Sequence, residues 1–489
     1  MKTSFFTTIF TVSICFGVSS LGIFAQEMPP APSAPKSVVI PSVKEKTLPN
    51  GLKVAVVERK GVPLVTIQLL VKVGASAEDA SKAGLADLTA SMLTKGTKTK
   101  TATQIAEAIE FLGGSISSGA GWNSSFVSVT VTSDKVSQAM AILADVVLNP
   151  KFDDKELDLL KSQTLDGLTY NLKQPSFLAN YVASRYSFGE HPAGGTANSV
   201  QSLSSTDVKK FHSEKYKAYD SVLIFTGDIS NVAANSAAAK FFGNWGARSR
   251  PRKEVIQYLP GSNTATSSEM TAKRFIVIDL PKSGQASVTY AKPVSKIGRT
   301  DSSYYPAVVM NTVLGGGYSS RLNYEIRIKR GLSYGAGSSV GWRAANANFA
   351  TRTQTKNESA PEVVELVLAE IKKLSDTPVA NDELIPRKSV LTGNFGRNLE
   401  TTGGLAGAVG DLYAFGIPTS ELNKYVSSVN DVTDGQIMAF AVYNLLGGDI
   451  IIVGDYSIFK DDLAKRFPGV KVDVIKADDL DLSKENLRK

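Results

Sequence analysis

Residues able to ligate a transition metal or act as a nucleophile are few in this chain. Its histidines are His191 and His212, and its one cysteine is Cys15. Zinc sites in proteins draw mainly on Cys and His, so two distant histidines equip the chain poorly to hold zinc alone. We expect both histidines to be structural or exposed, because their spacing supports no Ser-His-Asp arrangement.

A second segment with chemical potential is the glycine triplet Gly315-Gly316-Gly317, which Arg327 and Tyr334 follow. A phosphate-binding loop needs a lysine and a serine or threonine at fixed positions after its glycines, and this segment lacks them. Glycine has no Cβ and lets another backbone approach closely. We therefore interpret the triplet as a loop that admits a substrate backbone.

Composition and charge exclude several classes of protein. The 489 residues include 54 Lys and Arg against 46 Asp and Glu, a formal net charge of +8. The densest basic run, 248–253, is interpreted as a solvated domain edge, with an anionic partner or a membrane surface as the alternative. No arginine-rich arm or nucleic-acid-binding module accompanies it, so we predict no nucleic-acid partner.

The N-terminus has the features of a secretory signal. Lys2 supplies the positive charge, an apolar run extends from Phe5 to Phe24, and Ala25 precedes the predicted cleavage site. An uncleaved anchor is the alternative. No later run of 18 apolar residues predicts a stable membrane span after cleavage. We expect an exported protein, periplasmic if the source is a Gram-negative bacterium.

The elements that must position these residues recur at an offset of about 227 residues. Lys161 and Lys388 lie in two similar segments, and two apolar strands end in Gly227 and Gly454. In each half an alternating strand precedes an amphipathic helix. This order predicts an α+β fold of two duplicated domains, each a mostly antiparallel sheet with helices packed on one face.

The predicted organisation follows from this repeat and from the turn-rich composition between the halves. The segments are a signal peptide (1–25), a Pro-rich spacer (26–42), an N-terminal domain (43–258), a linker (259–272), a C-terminal domain (273–480) and a tail (481–489).

The apolar segment 84–93 predicts a short helix. It resembles the zinc helix of the inverted-zincin family (pitrilysin, insulinase and mitochondrial processing peptidase), whose pattern is G-x-A-H-x-x-E-H-M-L followed by G-T. The first histidine, the glutamate and the second histidine of that pattern fall on Asp87, Ala90 and Ser91. Together these residues cannot supply two imidazoles and a general base.

The resemblance extends over about residues 43–475, beginning with segment 48–54, which resembles the opening strand of the family. The third zinc ligand of the family falls on Gly167, beside Asp166. The resemblance therefore implies an N-terminal domain without zinc ligands. Two alternatives stay open: a calcium or magnesium ion held by Asp87 and Asp166, and an independent enzyme that uses either carboxylate.

Segment 315–334 resembles the glycine-rich loop of the family followed by L-R-x-x-x-G-L-x-Y. The resemblance implies that Gly315, Gly316 and Gly317 contact substrate, and that Arg327 and Tyr334 form the catalytic pair that reaches substrate on a zinc-binding half. Donors aimed at the oxygen of an attacked carbonyl lower the barrier to hydrolysis. The alternative is that Arg327 forms a surface ion pair, for example with Glu325, while Tyr334 packs in a sheet.

Loss of the metal residues in one half and retention of the Arg/Tyr pair in the other resembles the heterodimeric members of this family. The resemblance implies a homologous partner with the H-x-x-E-H motif and zinc, no cofactor in this chain, and a peptide or unfolded polypeptide as substrate. Two clam-like halves would then enclose a chamber, and this chain alone would be inactive. The alternative is a catalytically inactive structural or binding subunit of a larger complex.

Overall fold

The computed structural model of the protein describes residues 40, 42–246 and 274–489. Four predicted features lie outside these described residues: the signal 1–25, the spacer 26–42 apart from residues 40 and 42, the basic run 248–253 and the linker 259–272. The described part contains two six-stranded sheets.

The first sheet has the strand order β1-β2-β6-β3-β5-β4. Of its five pairings, β2 with β6 is parallel and the other four are antiparallel. Its strands are β1 (Lys44–Thr47), β2 (Lys53–Glu58), β3 (Leu64–Val71), β4 (Ser115–Ala120), β5 (Ser125–Thr132) and β6 (Ser221–Gly227).

The second sheet has the order β12-β7-β11-β8-β10-β9. Its strands are β7 (Arg274–Asp279), β8 (Ala286–Ser295), β9 (Ser333–Trp342), β10 (Asn346–Thr355), β11 (Asp449–Gly454) and β12 (Val472–Lys476). Strand β7 is parallel to β11 and β12, and the other three pairings are antiparallel. Five strands therefore repeat the pattern of the first sheet, and the predicted duplicated α+β fold is confirmed.

Eight helices accompany each sheet in the described residues. Those of the first half are α1 (Leu85–Met92), α2 (Ala102–Phe111), α3 (Val136–Leu148), α4 (Asp154–Asn171), α5 (Pro175–Val182), α6 (Ala197–Ser202), α7 (Ser205–Lys215) and α8 (Asn231–Phe242). Those of the second half are α9 (Tyr304–Leu314), α10 (Arg321–Asn323), α11 (Ala360–Asp376), α12 (Asn381–Leu399), α13 (Thr402–Ala414), α14 (Tyr425–Asn430), α15 (Asp434–Asn444) and α16 (Tyr456–Arg466). Short π-helical turns, Ala183–Ser187 and Tyr324–Ile328, follow α5 and α10.

Alternating hydrophobicity sets the face that each strand buries. In β5, Val127, Val129 and Val131 are buried, and the residues between them are half-buried. They pack with Met140 and Leu143 of α3 in the main cluster of the first half. Complete burial of each such side chain stabilises the fold by about 1.5–3 kcal/mol, so this face holds the sheet and its helices together.

The second face of each sheet also carries a helix, and that helix comes from the other half. Helix α13 crosses β3 and β6, where Thr402 accepts hydrogen bonds from Thr66 Oγ1 at its hydroxyl (2.9 Å) and from Thr226 Oγ1 at its carbonyl (2.7 Å). Helix α5 of the first half packs on the second sheet, because Leu178 and Val182 belong to the same buried cluster as Ile276 of β7. The sequence predicted helices on one face of each sheet and did not indicate that α5 and α13 each pack on the sheet of the other half.

The repeat also appears in individual contacts. The Lys161 ammonium donates to the carbonyls of Gln201 (2.9 Å) and Leu203 (2.8 Å), at the C-terminal end of α6. The Lys388 ammonium donates in the same way to two carbonyls at the C-terminal end of α14, those of Asn430 and Val432. A cation suits the C-terminal end of a helix, where carbonyls lack intrahelical partners.

Two boundaries differ from the sequence-based interpretation. The expected opening strand 48–54 is wrong over its first five residues: β2 begins at Lys53, because Gly51 adopts φ +90° and its N–H donates to Leu48 O (2.9 Å) in a hairpin turn. The predicted tail 481–489 contributes to the second half, since Leu487 is buried beside Ile475.

No helix among residues 40, 42–246 and 274–489 is long and apolar enough to cross a membrane.

Candidate functional site

The helix at the zinc position of the family, α1, is held at its N-terminus by a carboxylate. Gly84 adopts φ +93° before the helix begins. The backbone N–H groups of Gly84 and Ala86 donate to Glu78 Oε1 (2.9 Å) and Oε2 (2.7 Å). The first N–H groups of a helix lack intrahelical partners and carry positive partial charge, so Glu78 satisfies them and orients α1.

The residues at the metal positions do not fit zinc. Ala90 is fully buried and has no donor atom. Gly167 on α4 has no side chain, and a Cβ added there would meet no atom within 4 Å. Burial raises the pKa of Asp87, so this lone carboxyl is a weaker acid than an ordinary aspartate and gives up its proton less readily. Ser91 offers only a neutral hydroxyl.

The alternative of a calcium or magnesium site on Asp87 and Asp166 gains no support. Within the described ranges, no group of three or more His, Cys, Asp or Glu side chains is arranged to hold a metal ion. Ca²⁺ takes six to eight oxygen ligands in proteins, and two carboxylates supply at most four.

The two histidines make internal contacts. His191 Nδ1 lies 3.6 Å from Glu78 Oε1, and the Glu78 side chain is fully buried. Burial raises the pKa of Glu78 to about 7 and lowers that of His191. His212 Nε2 lies 2.9 Å from the carbonyl of Val147, and burial lowers its pKa to about 4, so the neutral ring donates this hydrogen bond.

The three glycines of the second half occupy different environments. The carbonyl of Gly315 accepts from Ser338 N–H of β9 (3.1 Å), and a Cβ at Gly315 would lie 2.3 Å from that nitrogen. A Cβ at Gly316 would lie 2.8 Å from Thr312 Cα, whereas one at Gly317 would meet nothing within 4 Å. Gly315 and Gly316 therefore serve close packing of the chain on itself, and Gly317 is open.

Helix α12 clasps the segment that follows the triplet. Arg321 and Glu383 form a bidentate ion pair, with Nε–Oε1 at 3.0 Å and Nη2–Oε2 at 2.7 Å. One turn further on, Arg387 donates to the hydroxyl and the carbonyl of Ser319. Bidentate pairs of this kind fix geometry as well as adding energy, so α12 fixes the start of the π-helical turn.

Arg327 lies on this π-helical turn, a rare local structure that is frequent at functional sites. Its guanidinium lies 5.0 Å from the ring centroid of Tyr318. The surface pair of Arg327 with Glu325 does not form, because Glu325 pairs with Lys329 (3.2 Å) and Arg330. Among the residues with described positions, none makes an ion pair with Arg327.

Tyr334 lies at a β-bulge near the start of β9. Strand β10 pairs Thr355 with Ser333 and Thr353 with Ala336, so Tyr334 and Gly335 together oppose one residue. A bulge re-aims the side chain it carries, and Tyr334 is 93% exposed. The alternative in which its side chain packs within the sheet is therefore not observed.

Arg327 and Tyr334 line one cavity of about 610 Å³, together with Gln285, Gln354 and Lys356. The glycine triplet is absent from the described residues that line it. The structure thus brings the two predicted catalytic residues together and places the three predicted substrate-binding glycines outside their cavity.

Sequence reasoning missed two residues that support these sites. Glu78 lies nine positions before Asp87, and no local pattern marks it as the cap of α1. Tyr318 directly follows the glycine triplet and lies nine positions before Arg327. An aromatic residue this close to the arginine in sequence could have indicated a cation–π contact.

The duplicated fold, and an α1 helix without metal ligands, resemble a peptidase scaffold that has lost its zinc site. Comparison with known proteins identifies the family of this chain. A family model described as Insulinase (Peptidase family M16) matches residues 53–184, and one described as Peptidase M16 inactive domain matches residues 202–388. The chain belongs to peptidase family M16.

Similar proteins and solved structures are consistent with this family. A protein of Mycobacterium leprae named as an uncharacterized zinc protease is 25% identical over 81% of this chain and 87% of its own length. One with the same description from Rickettsia felis is 26% identical over 78% and 90%. A peptidase M16 inactive domain from Pseudomonas fluorescens superposes with TM-score 0.73 at 26% identity, covering 84% of this chain and 98% of its own. A Helicobacter pylori protease shares the fold, with TM-score 0.76 at 18% identity, over 85% and 100%.

Proposed function

We propose that this chain is the zinc-free subunit of a heterodimeric metallopeptidase of family M16, and that it completes the active site of a homologous H-x-x-E-H subunit. One observation carries the proposal. Arg327 and Tyr334 line the same open cavity, while the metal positions of α1 and α4 in the same chain hold no ligand set.

The exposure of Tyr334 and the lack of an ionic partner for Arg327 among the described residues support a role toward another molecule. Tyr334 is 93% exposed, and the ring of Tyr318 rather than a carboxylate faces Arg327. A guanidinium without an anionic partner keeps its donors available to a carbonyl oxygen, and a phenol donates without changing charge. A pair used only for internal stability would be expected to bury its polar ends in contacts with its own chain.

The chemistry expected of this chain is positioning and charge stabilisation. Arg327 would hold the peptide through a carbonyl next to the scissile bond, and Tyr334 would donate to the oxygen on which negative charge develops. Preorganised donors of this kind lower the barrier most when they are fixed before the reaction, and the α12 clasp and the β-bulge provide such fixation. Water activation would belong to the partner, in which the family carries zinc.

The test of the pair is a double variant in the mixed complex. The mature chain and an H-x-x-E-H homologue from the same genome are combined, and cleavage of a quenched-fluorescent peptide is followed. Arg327→Ala with Tyr334→Phe is expected to lower kcat/KM by more than about 100-fold, since loss of one such donor costs about 10²–10³ in kcat. The control is Tyr324→Phe with Lys329→Ala, which changes one tyrosine and one cation in the same way. Tyr324 lies on the π-helical turn, and Lys329 follows that turn.

Unchanged activity of the Arg327/Tyr334 double variant would contradict the proposed catalytic pair. Activity in no mixture, with stable assembly into a larger complex, would favour the second candidate, an inactive structural or binding subunit. The presence of Arg327 and Tyr334 in one open cavity is the observation that ranks the peptidase role first.

Export belongs to the same proposal. We infer that the chain acts outside the cytoplasm after removal of residues 1–25, in the periplasm of a Gram-negative source. The basic end, apolar run and small residue before Gln26 support cleavage there. Mass spectrometry of the protein purified from its native host should find Gln26 at the N-terminus, and an intact Met1 would indicate an anchor.

A further inference from the structure

The Arg327/Tyr334 cavity continues into a groove along β10. A second cavity of about 410 Å³ shares Gly335 and Gln354 with the first. One wall of the second cavity is α5 of the first half, through Ser176, Phe177 and Asn180. The β10 groove, defined here as these two adjoining cavities, is therefore built by both halves of the chain.

The β10 groove is lined by three cations, Arg327, Arg352 and Lys356, and by no carboxylate among the described residues. None of the three forms an ion pair within the ranges that the structure describes, although 18 ion pairs occur elsewhere in those ranges. Glu325 and Glu362, which lie near this segment, both pair with Arg330. Glu358, two positions after Lys356, is exposed and is not among the described residues that line the groove.

Two of these cations are spaced like the side chains of an extended peptide. In and just beyond β10, Arg352, Gln354 and Lys356 are exposed, and Thr353 and Thr355 between them are buried. Residues two apart on one strand face lie about 6.6–6.8 Å from each other, and an extended ligand has the same repeat. Gln354 Nε2 donates to Gln285 Oε1 (2.5 Å), which holds the polar side chain between the cations.

Charge complementarity decides the class of ligand. Three unpaired cations and no lining anion make a field that attracts carboxylates and repels basic segments. The apolar part of the groove, Phe177 and the exposed ring of Tyr334, offers contact area to any side chain and adds no charge preference.

We propose that the β10 groove selects extended acidic peptides, with Arg352 and Lys356 as specificity-determining residues that bind carboxylates spaced two or four positions apart. This inference rests on the proposed function in one respect: it assumes that the peptide held by the groove is the one presented to the partner's active site.

The first test uses the isolated mature chain and needs no partner. Binding of three fluorescein-labelled decapeptides of matched length, one acidic, one neutral and one basic, is measured by anisotropy. The acidic peptide is expected to bind tightest, and its affinity is expected to fall between about 0.05 M and 0.3 M salt, because screening shortens the reach of exposed charges. Equal binding of the three peptides, or binding of none, would overturn the proposal.

Charge reversal locates the effect. Arg352→Glu with Lys356→Glu is expected to weaken binding of the acidic peptide about tenfold or more, since each exposed ion pair changes sign, and to strengthen binding of the basic one. The matched control is Lys209→Glu with Lys210→Glu on α7, two exposed lysines that give the same change in net charge. An equal loss in the control would mean that net charge, and not the groove, selects the peptide.

Kinetics of the mixed complex separate this inference from the proposed function. The groove variant should raise KM more for an acidic peptide than for a neutral one. Hydrolysis of acidic, neutral and basic peptides with equal kcat/KM would overturn the inference and leave the heterodimer intact. Acidic selectivity of the isolated chain with no hydrolysis in any mixture would instead overturn the proposed function.

Discussion

Gly315 is the position at which the loop before the Arg/Tyr segment meets the second sheet, and its substitution by alanine has a calculable effect. A Cβ at Gly315 would lie 2.3 Å from Ser338 N and 2.4 Å from Ser338 Oγ. The hydroxyl can rotate away, but the backbone nitrogen cannot move without shifting β9. That shift would also strain the hydrogen bond of Ser338 N–H to Gly315 O at 3.1 Å.

The two costs add. Forcing a methyl group into a packed site costs about 1–3 kcal/mol, and a lost backbone hydrogen bond costs about 0.5–1.5 kcal/mol. Gly315→Ala should therefore lower the free energy of unfolding of the second half by about 2–4 kcal/mol. With about 2–4 °C per kcal/mol for units of 150–250 residues, its Tm should fall by roughly 5–15 °C.

Gly317→Ala is the matched control, because a Cβ there meets no atom within 4 Å. It should leave stability unchanged or raise it by about 0.4–1 kcal/mol through the unfolded chain. Differential scanning calorimetry of the isolated mature chain measures both variants. Equal Tm values for Gly315→Ala and Gly317→Ala would refute the packing argument for the triplet.

Three further predictions concern the two helix-end lysines, His212 and Tyr334. Lys161→Met and Lys388→Met should each cost about 1.5–3 kcal/mol in urea unfolding, as each removes a charged donor from two carbonyls, and markedly unequal losses would contradict the repeated contact. Because the folded pKa of His212, about 4, lies below its ordinary 6.5, stability should fall as pH drops from 6.5 toward 4; His212→Gln should flatten this profile, and an unchanged profile would refute a buried neutral ring. Tyr334→Phe should lower kcat of the mixed complex by about 10²–10³ with unchanged Tm, because the side chain is 93% exposed; full activity would exclude the phenol as a donor.

The sequence predicted the features that depend on short-range pattern or on internal comparison. The offset of about 227 residues predicted the duplicated fold, and it placed Lys161 and Lys388 in equivalent segments of the two halves. The alternation of Val127, Val129 and Val131 anticipated β5, because side-chain period in a strand is set by the local backbone. The metal positions of α1 could be assigned from the resemblance of segment 84–93 to the pattern of the family.

Features that depend on contacts between distant segments could not be predicted. The exchange of α5 and α13 joins each helix to the sheet of the other half, and no pattern within Pro175–Val182 names its partner. The bulge at Tyr334 depends on its pairing with β10. Arg352 and Lys356 are an intermediate case. Their alternation with threonines is visible in the sequence of β10 and of the residue after it, whereas the lack of lining carboxylates is visible only in three dimensions.

The central claim is that this chain contributes donors to an active site whose metal lies on another polypeptide. Its most direct measurement is hydrolysis of one quenched-fluorescent peptide by the metal-analysed mature chain, by an H-x-x-E-H homologue of the same organism, and by their equimolar mixture. We expect cleavage by the mixture only, with metal bound to the homologue. Cleavage by this chain alone, with stoichiometric metal bound to it, would contradict the claim.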